Sequence, residues 1–348
     1  MIPKEKINSI LENYDKRKIK IATICSHTSL QLFHGARQEG MKTIGICLEK
    51  YRKTYDSFPY GKPDEYIIVD NYRDIPAKEL VEENAVVVPH GSFVEYTGSK
   101  LEELVVPMFG NRLSLMWEGD RDRLFKWMKD SGLQVPKLFT PETIDRPCIV
   151  KLPGAKGGKG YTIVSSPADF KKKVKEEKFI IQEYISGVRV YPHYFYSPIS
   201  KGGYGVKGGK LELMSIDRRL ESNIDESYRA TLAGVEVEPS FTVIGNEPVT
   251  LRESLVREIM EMGANVVESS YRLFNGLPGP FCIEMICTEN MKFYAFEISA
   301  RIVAGTNLYP LGSPYTCYSY KQPMSTGRRI ASEVKMAAKM NRLNKVIY

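Results

Sequence analysis

The sequence predicts a parallel α/β layer followed by a larger α+β region, and three observations predict it. Between residues 18 and 110 short apolar runs alternate with helical segments, and at Asp120 that pattern changes. Farther along, a glycine-rich cationic loop at 151–160 is answered by two successive apolar runs, 281–287 and 292–298, each carrying one glutamate.

The early apolar runs are 19–25, 43–48, 66–69, 85–88 and 104–109, with a helix at 30–39 ended by Gly40. Strands separated by helices imply parallel pairing, and ligands of such sheets gather beyond the carboxyl ends of the strands. Cys25-Ser26-His27-Thr28 and Pro89-His90-Gly91-Ser92 occupy two of those ends, so two loops point one way. From Asp120, Leu124, Trp127 and Met128 share one helical face that Gly132 and Pro136 close, which sets a domain boundary near Glu118. Ser166 before Pro167, with Asp169 following, starts a short basic helix. The run 179–185 reads as a strand that ends in a polar hinge at Glu183, Tyr184 and Gly187. The glycine-rich stretch 200–209 reads as a turn between strands. Thr250 and Glu253 form a capping box for a long helix whose Leu255, Ile259, Met262 and Val266 share a face. Pro280 opens the acidic strand pair, residues 330–340 read as a closing helix, and no internal repeat is visible.

A chain of 348 residues, 43% hydrophobic, can bury an ample core and favours two or three domains. The formal charge of +7 suits nucleic acid or anionic nucleotide and phosphoribosyl substrates equally, and the basic residues are dispersed. Lys171 to Lys175 and the Arg328-Arg329 region read as solvated helix faces. Six cysteines form no Cys-x-x-Cys pair and mostly lie in apolar runs, which fits a reducing cytoplasm. Four histidines without zincin spacing argue against a zinc enzyme. The charged N-terminal stretch lacks a signal-peptide core, and no apolar run reaches membrane-spanning length.

The loop Lys151-Leu-Pro-Gly154-Ala-Lys156-Gly157-Gly158-Lys159-Gly160 lacks the Lys-Ser/Thr ending of a Walker A sequence and the Gly-x-Gly-x-x-Gly spacing of a dinucleotide fingerprint. Its glycines still let backbone N–H groups approach phosphate oxygens, and its lysines supply charge. Glu284 and Glu297 each interrupt an apolar strand, where an unpaired charge is costly. Projecting to one side of adjacent strands, they would call for a cation between them, and magnesium supplies one. The plainer alternatives are a solvent-facing glutamate or a Glu297–Arg301 ion pair. Lys151 could likewise be a strand-end surface lysine and His27 a packed loop histidine.

The order of Lys151 strand, glycine loop, Gln182-Glu183-Tyr184-Ile185 hinge and two acidic strands resembles the ATP-grasp ligases. That resemblance implies an α/β N-terminal domain at 1–118 followed by an α+β ATP-grasp fold of two subdomains at 119–348, with a lid at about 119–186 and a C-terminal part at about 187–348. It also implies that Lys151, Gly157, Gly158, Lys159 and Gly160 meet the phosphates of ATP, that Gln182, Glu183, Tyr184 and Ile185 meet adenine, and that Glu284 and Glu297 hold Mg2+, with Mn2+ as an alternative. Ser299 stands where many members place a further asparagine ligand.

Over nearly the whole chain, the segments at 25–29, 89–93, 217–223 and 296–307 resemble the archaeal PurP family. Its members are formate-dependent ligases that formylate aminoimidazole carboxamide ribotide (AICAR) with ATP. The resemblance implies AICAR contacts at His27, Ser92, Asn246 and Arg301, catalytic roles for Lys151 and Arg301, and nucleotide binding by Glu221, with Glu226 as its competitor. It further implies a cytoplasmic homo-oligomer, a hexamer or smaller. The rivals are a ligase for another carboxylate and amine, and a nucleotide- or RNA-binding protein without turnover; no aromatic-basic RNA signature supports the latter.

Overall fold

The computed structural model describes residues 1–152, 161–221, 223–235, 237, 240 and 242–348. Helix α1 (Lys4–Glu12) precedes an alternation of β1 (Lys20–Ile24), α2 (Ser29–Gln38), β2 (Thr43–Cys47), α3 (Glu49–Asp56), β3 (Glu65–Ile68), α4 (Ala77–Glu82), β4 (Ala85–Val87) and α5 (Gly91–Thr97). The strands are parallel in the order β3-β2-β1-β4, because each crossover helix returns the chain to the same edge direction. β2 and β4 are buried along their length, which explains their unbroken apolar sequence. The expected strand at 104–109 is not one. Pro107 has no N–H to donate, so the segment meets the sheet only where Val87 N donates to Pro107 O and Phe109 N to Val87 O, at 2.9 and 2.8 Å.

Helices α6 (Arg112–Gly119) and α7 (Arg121–Asp130) meet at Asp120, whose carboxylate caps α7 by accepting from Asp122 N and Arg123 N. Leu124, Trp127 and Met128 are buried, as their spacing predicts. Next come β5 (Leu138–Phe139), β6 (Cys148–Lys151), β7 (Tyr161–Val164), α8 (Pro167–Lys173) and β8 (Ile180–Glu183). Among the described residues they form an antiparallel sheet in the order β5-β8-β6-β7, packed on Phe170 of α8. Ser166 caps α8 by accepting from Asp169 N. Gly154, Lys156, Gly157, Gly158, Lys159 and Gly160 lie outside the described residues.

The remaining elements are β9 (Val188–Ser197), β10 (Tyr204–Val206), β11 (Gly209–Glu221), α9 (Ile224–Leu232), β12 (Val243–Pro248), α10 (Glu253–Phe274), β13 (Gly279–Cys287), β14 (Phe293–Ser299), α11 (Pro314–Cys317) and α12 (Thr326–Lys339). Among the described residues β10-β11-β9-β13-β14 form one sheet, and β12 adds to β11. Strand alternation separates its two faces. Val190, Tyr194 and Tyr196 pack with Ile283, Met285 and Ile298 towards α10, and Tyr194 reaches Ile259 O at 2.8 Å. Tyr191, His193, Asp217 and Glu284 lie on the opposite face. The stretch 200–209, read as a turn, is one only at Lys207 and Gly208, since residues 204–206 are themselves β10 and Gly209 already opens β11. The capping box at Thr250 does not form. Val249 N is drawn to Ile216 O and Leu251 N to the Tyr315 hydroxyl, so the backbone stays extended and α10 starts after Arg252 without a side-chain cap.

Helix α12 returns to the first layer and crosses α2, where a Cβ on Gly35 would fall 2.2 Å from Arg328 N and one on Gly327 2.4 Å from Gln31 O. Arg329 is not a solvated helix residue. It is buried over the Phe195 ring between Glu212 and Glu333, at 2.7 and 2.8 Å. Arg328, mostly buried, pairs with Glu39 at 2.7 Å. The final residues join the layer too: Tyr348 N donates to Met108 O and Met108 N to Tyr348 O, at 2.8 and 3.1 Å.

Candidate active site

Glu284 of β13 and Glu297 of β14 are register partners, directly opposite on adjacent antiparallel strands, which is the arrangement their spacing suggested. Glu284 is 1% exposed. Its Oε1 accepts from the Arg219 guanidinium and from Ser299 Oγ, while its Oε2 is buried without a partner among the described residues. Burial, and then the Glu284 charge, push the Glu297 carboxyl up to about 7. Lys151, at the end of β6, reaches this pair from the antiparallel sheet, with Nζ 5.3 Å from the Phe296 ring centre and 5.5 Å from that of Tyr161. Burial brings its ammonium down to about 8, against the pull of Glu297. Opposed carboxylates, one with an orphaned oxygen, fit a divalent cation. Among the described residues no group of three His, Cys, Asp or Glu side chains gathers, so Glu284 and Glu297 are the residues that would hold such a cation.

A second cluster forms where the loops after β1 and β4 meet the segment after β14. His27 has φ 55°, a left-handed conformation unusual for a side chain other than glycine's, and Asn307 holds it there by donating to its carbonyl at 3.0 Å. Its ring stacks on His90, centroids 5.2 Å apart and planes within 9°. Gly91 makes room, since a Cβ there would lie 2.8 Å from His27 Nε2. His90 Nε2–H donates to Ile24 O at 3.0 Å and Nδ1 accepts from Phe93 N at 3.1 Å, which selects one neutral tautomer. Burial pushes His90 down to about 4; burial, His90 and Arg301 push His27 down to about 2. Ser92 is half-buried in the first turn of α5.

His90 also bridges Ile302, which sets Arg301 beside the same loops. Arg301 does not pair with Glu297. Its partner is Glu118, whose Oε1 lies 2.9 Å from Arg301 Nη2 and whose Oε2 accepts from Ala300 N at 2.8 Å. Burial raises the Glu118 carboxyl, and Arg301 opposes that rise. Arg301 Nε is buried without a partner among the described residues.

Arg219 links the clusters. It pairs with Glu284, lies over the Tyr191 ring at 4.5 Å, and its charge also bears on His27 and Glu297. Burial works against its charge, but Glu284 and the other acidic neighbours more than offset this and hold its pKa above the usual arginine range. Asn246 of β12 pairs in register with Arg219, and its Nδ2 donates to Asp217 at 2.7 Å. Glu221 forms an ion pair with Arg189 at the end of β11, whereas Glu226 is exposed on α9 with Arg229 at 3.5 Å. Gln182 is buried in β8, Glu183 accepts from Arg146 at 3.2 Å, Tyr184 is exposed, and Ile185 is half-buried on the way to β9. There Gly187 passes so close to Cys287 O that a Cβ would lie 2.3 Å from it. The structure thus brings Lys151 to the two acids and His27 near Arg301, while Ser92 follows Gly91, the residue against the His27 ring. Sequence reasoning assigned no role to Glu118, His90, Asp217 or Arg219. Asp217 and Arg219 stand in a run of three consecutive charges, Asp217-Arg218-Arg219, that closes an otherwise largely apolar strand, whereas a lone Glu118 on a helix carries no signal.

Solved structures place this architecture. The chain is similar to the IMP biosynthesis protein PurP of Thermococcus kodakaraensis, with a TM-score of 0.76 and 29% identity over 94% of this chain and 100% of that one. It is also similar in fold to an N5-carboxyaminoimidazole synthetase of Staphylococcus aureus complexed with ADP, with a TM-score of 0.63 and 16% identity over 93% and 79%. The protein therefore has the ATP-grasp fold. A model described as a domain of unknown function (DUF1297) matches residues 169–348, and one described as a protein of unknown function (DUF1246) matches 21–139. Two 5-formaminoimidazole-4-carboxamide-1-(beta)-D-ribofuranosyl 5'-monophosphate synthetases, of Korarchaeum cryptofilum and Methanococcoides burtonii, are 51% and 49% identical over the full length of both chains. The chain belongs to that synthetase family, the PurP family.

Proposed function

We propose that this protein is an ATP-dependent carbon–nitrogen ligase that joins formate to the 5-amino group of AICAR, giving the formamido ribotide, ADP and phosphate in purine biosynthesis. The reading is carried by one observation: Arg219 pairs with Glu284, which lies opposite Glu297, stands in register with Asn246, and its charge reaches His27 as that of Arg301 does. A nucleotide site and a ribotide site are thereby adjacent. The synthetase name of full-length relatives supports the same reaction.

Formate is a poor electrophile because hydroxide leaves badly, and phosphorylation to formyl phosphate provides a good leaving group. Glu284 and Glu297 would hold Mg2+, or Mn2+ in its place, which when bound screens the charge of the triphosphate. Lys151, poised near neutral pH, sits where it can neutralise the transferred phosphoryl group. Gln182, Glu183, Tyr184 and Ile185 form the adenine edge, Glu221 assists there, and Gly157, Gly158, Lys159 and Gly160 supply phosphate contacts. His27, Ser92 and Asn246 hold AICAR. Arg301, with an unpartnered Nε, directs a planar donor at its phosphate. Holding a weakly nucleophilic amine beside a short-lived anhydride accounts for much of the rate.

The reading includes a cytoplasmic location and assembly with copies of the same chain, a hexamer or smaller, which light scattering measures. Among the described residues no helix is long and apolar enough to cross a membrane. The deciding assay supplies ATP, magnesium, labelled formate and AICAR. ADP release and label transfer should require all of them. ADP release without AICAR dependence would leave an ATP-grasp ligase for another amine.

A further inference from the structure

On the polar face of the β11–β9–β13 sheet, His193, Asp217 and Asn246 form a chain of hydrogen bonds. His193 Nε2 lies 2.5 Å from Asp217 Oδ1, and Asn246 Nδ2 lies 2.7 Å from Asp217 Oδ2. His193 and Asp217 are buried, at 2% and 1% exposure, whereas Asn246 is half-buried. The turn Ala304–Leu308 covers the carboxylate with bare backbone, since a Cβ on Gly305 would fall 2.2 Å from Asp217 Oδ1.

An ionised carboxylate only accepts hydrogen bonds, so the asparagine must turn its NH2 towards Asp217. Its carbonyl Oδ1 then faces away, and it has no partner among the described residues. Asn246 lies in register beside Arg219, the residue that holds Glu284, so its amide is next to the link between the acid pair and the second cluster.

We infer that Asp217 is a positioning residue: it locks the Asn246 side-chain amide so that its carbonyl oxygen accepts an N–H of the aminoimidazole, orienting the attacking amine. This rests on the ligase reading above. Donation to a neutral amide oxygen leaves the amine lone pair free, and the hydrogen bond strengthens as the nitrogen becomes more acidic during attack. Had the amide the opposite orientation, its NH2 would face the substrate NH2 and repel it. Buried His193 holds Asp217 from the other side, and Gly305 leaves it no freedom to swing.

The test is a double-mutant cycle on the full chain, with affinities for AICAR and for a non-hydrolysable ATP analogue measured by calorimetry. Asp217→Leu and Asn246→Ala should each weaken AICAR about tenfold, the scale of one oriented hydrogen bond, and leave the ATP analogue unchanged. The double variant should be no weaker than Asn246→Ala alone. If Asp217→Leu does not fold, Asp217→Asn takes its place, because it keeps the volume and offers one acceptor oxygen to two donors. Additive losses, or equal losses for ATP analogue and AICAR, overturn the inference while a wild type that turns over AICAR upholds the ligase reading. A wild type that does not bind AICAR overturns both.

Discussion

Glu284 and Glu297 repel one another across a strand pair, so at the residue scale the candidate metal site costs stability that binding restores. Glu297→Gln should therefore raise the stability of the metal-free protein by about 1–2 kcal/mol while lowering turnover about a hundredfold. Magnesium should raise the melting temperature of the wild type and leave that of the variant nearly unmoved, as scanning calorimetry would show. The pH dependence has opposite signs at two residues. Glu297 is raised from 4.5 to about 7, so the folded state keeps a proton that the unfolded chain has lost, and metal-free stability falls as pH rises through that window. His90 is lowered from 6.5 to about 4, so its contribution rises with pH between those values. Glu297→Gln should remove the falling contribution, and His90→Asn, which can still cap α5, the rising one, worth at most about 3 kcal/mol. Stability curves of the two variants that run parallel to the wild type would contradict both assignments. The acid pair was legible in the sequence because two charges broke two apolar runs. The partners that orient the site were not: the Glu118–Arg301 pair joins residues far apart in the chain, and no local pattern in either sequence segment announces it.

At the scale of elements, alternation and punctuation were readable wherever one local rule decides the outcome. The parallel layer followed from helices between apolar runs, and the Ser166 cap and the turn between β10 and β11 from their residue types. Departures occur where distant backbone competes: Pro107 denies a ladder to 104–109, and pairing of Val249 and Leu251 overrides the Thr250 capping box. Contact between α2 and α12 was likewise hidden, since Gly35 and Gly327 look like ordinary helix interruptions until the helices cross. Their backbones approach so closely that added methyl groups must displace a main chain rather than a flexible side chain. Gly35→Ala should cost about 3 kcal/mol, far from the roughly 1 kcal/mol gain that alanine brings to an unencumbered helix. Urea denaturation decides this, and a stabilised variant would mean that the two helices do not touch as described.

Across the whole molecule, the proposed division at Glu118 is crossed by the end of the chain. Helix α12 lies on α2, and Leu343, Val346, Ile347 and Tyr348 are buried with Ile2, Ile7 and Leu11 of the first layer. Tyr348 also exchanges two backbone hydrogen bonds with Met108, and its hydroxyl donates to Ile2 O at 3.0 Å. The layer that presents His27 and Ser92 is thus held partly by residues that follow every proposed ATP contact in sequence. Each buried apolar side chain of this size contributes about 1.5–3 kcal/mol, so deleting residues 341–348 should remove a stabilisation comparable to the whole margin of a folded domain. The cost falls on the first layer, whereas Glu284, Glu297 and Lys151 keep their own sheets. Truncation should consequently abolish AICAR affinity before it abolishes affinity for a magnesium–nucleotide analogue, with backbone amides of β1 and β4 losing protection from hydrogen exchange first. Equal loss of both affinities would mean that the layers unfold as one unit, and retention of AICAR binding would mean that the chain end is dispensable for the first layer.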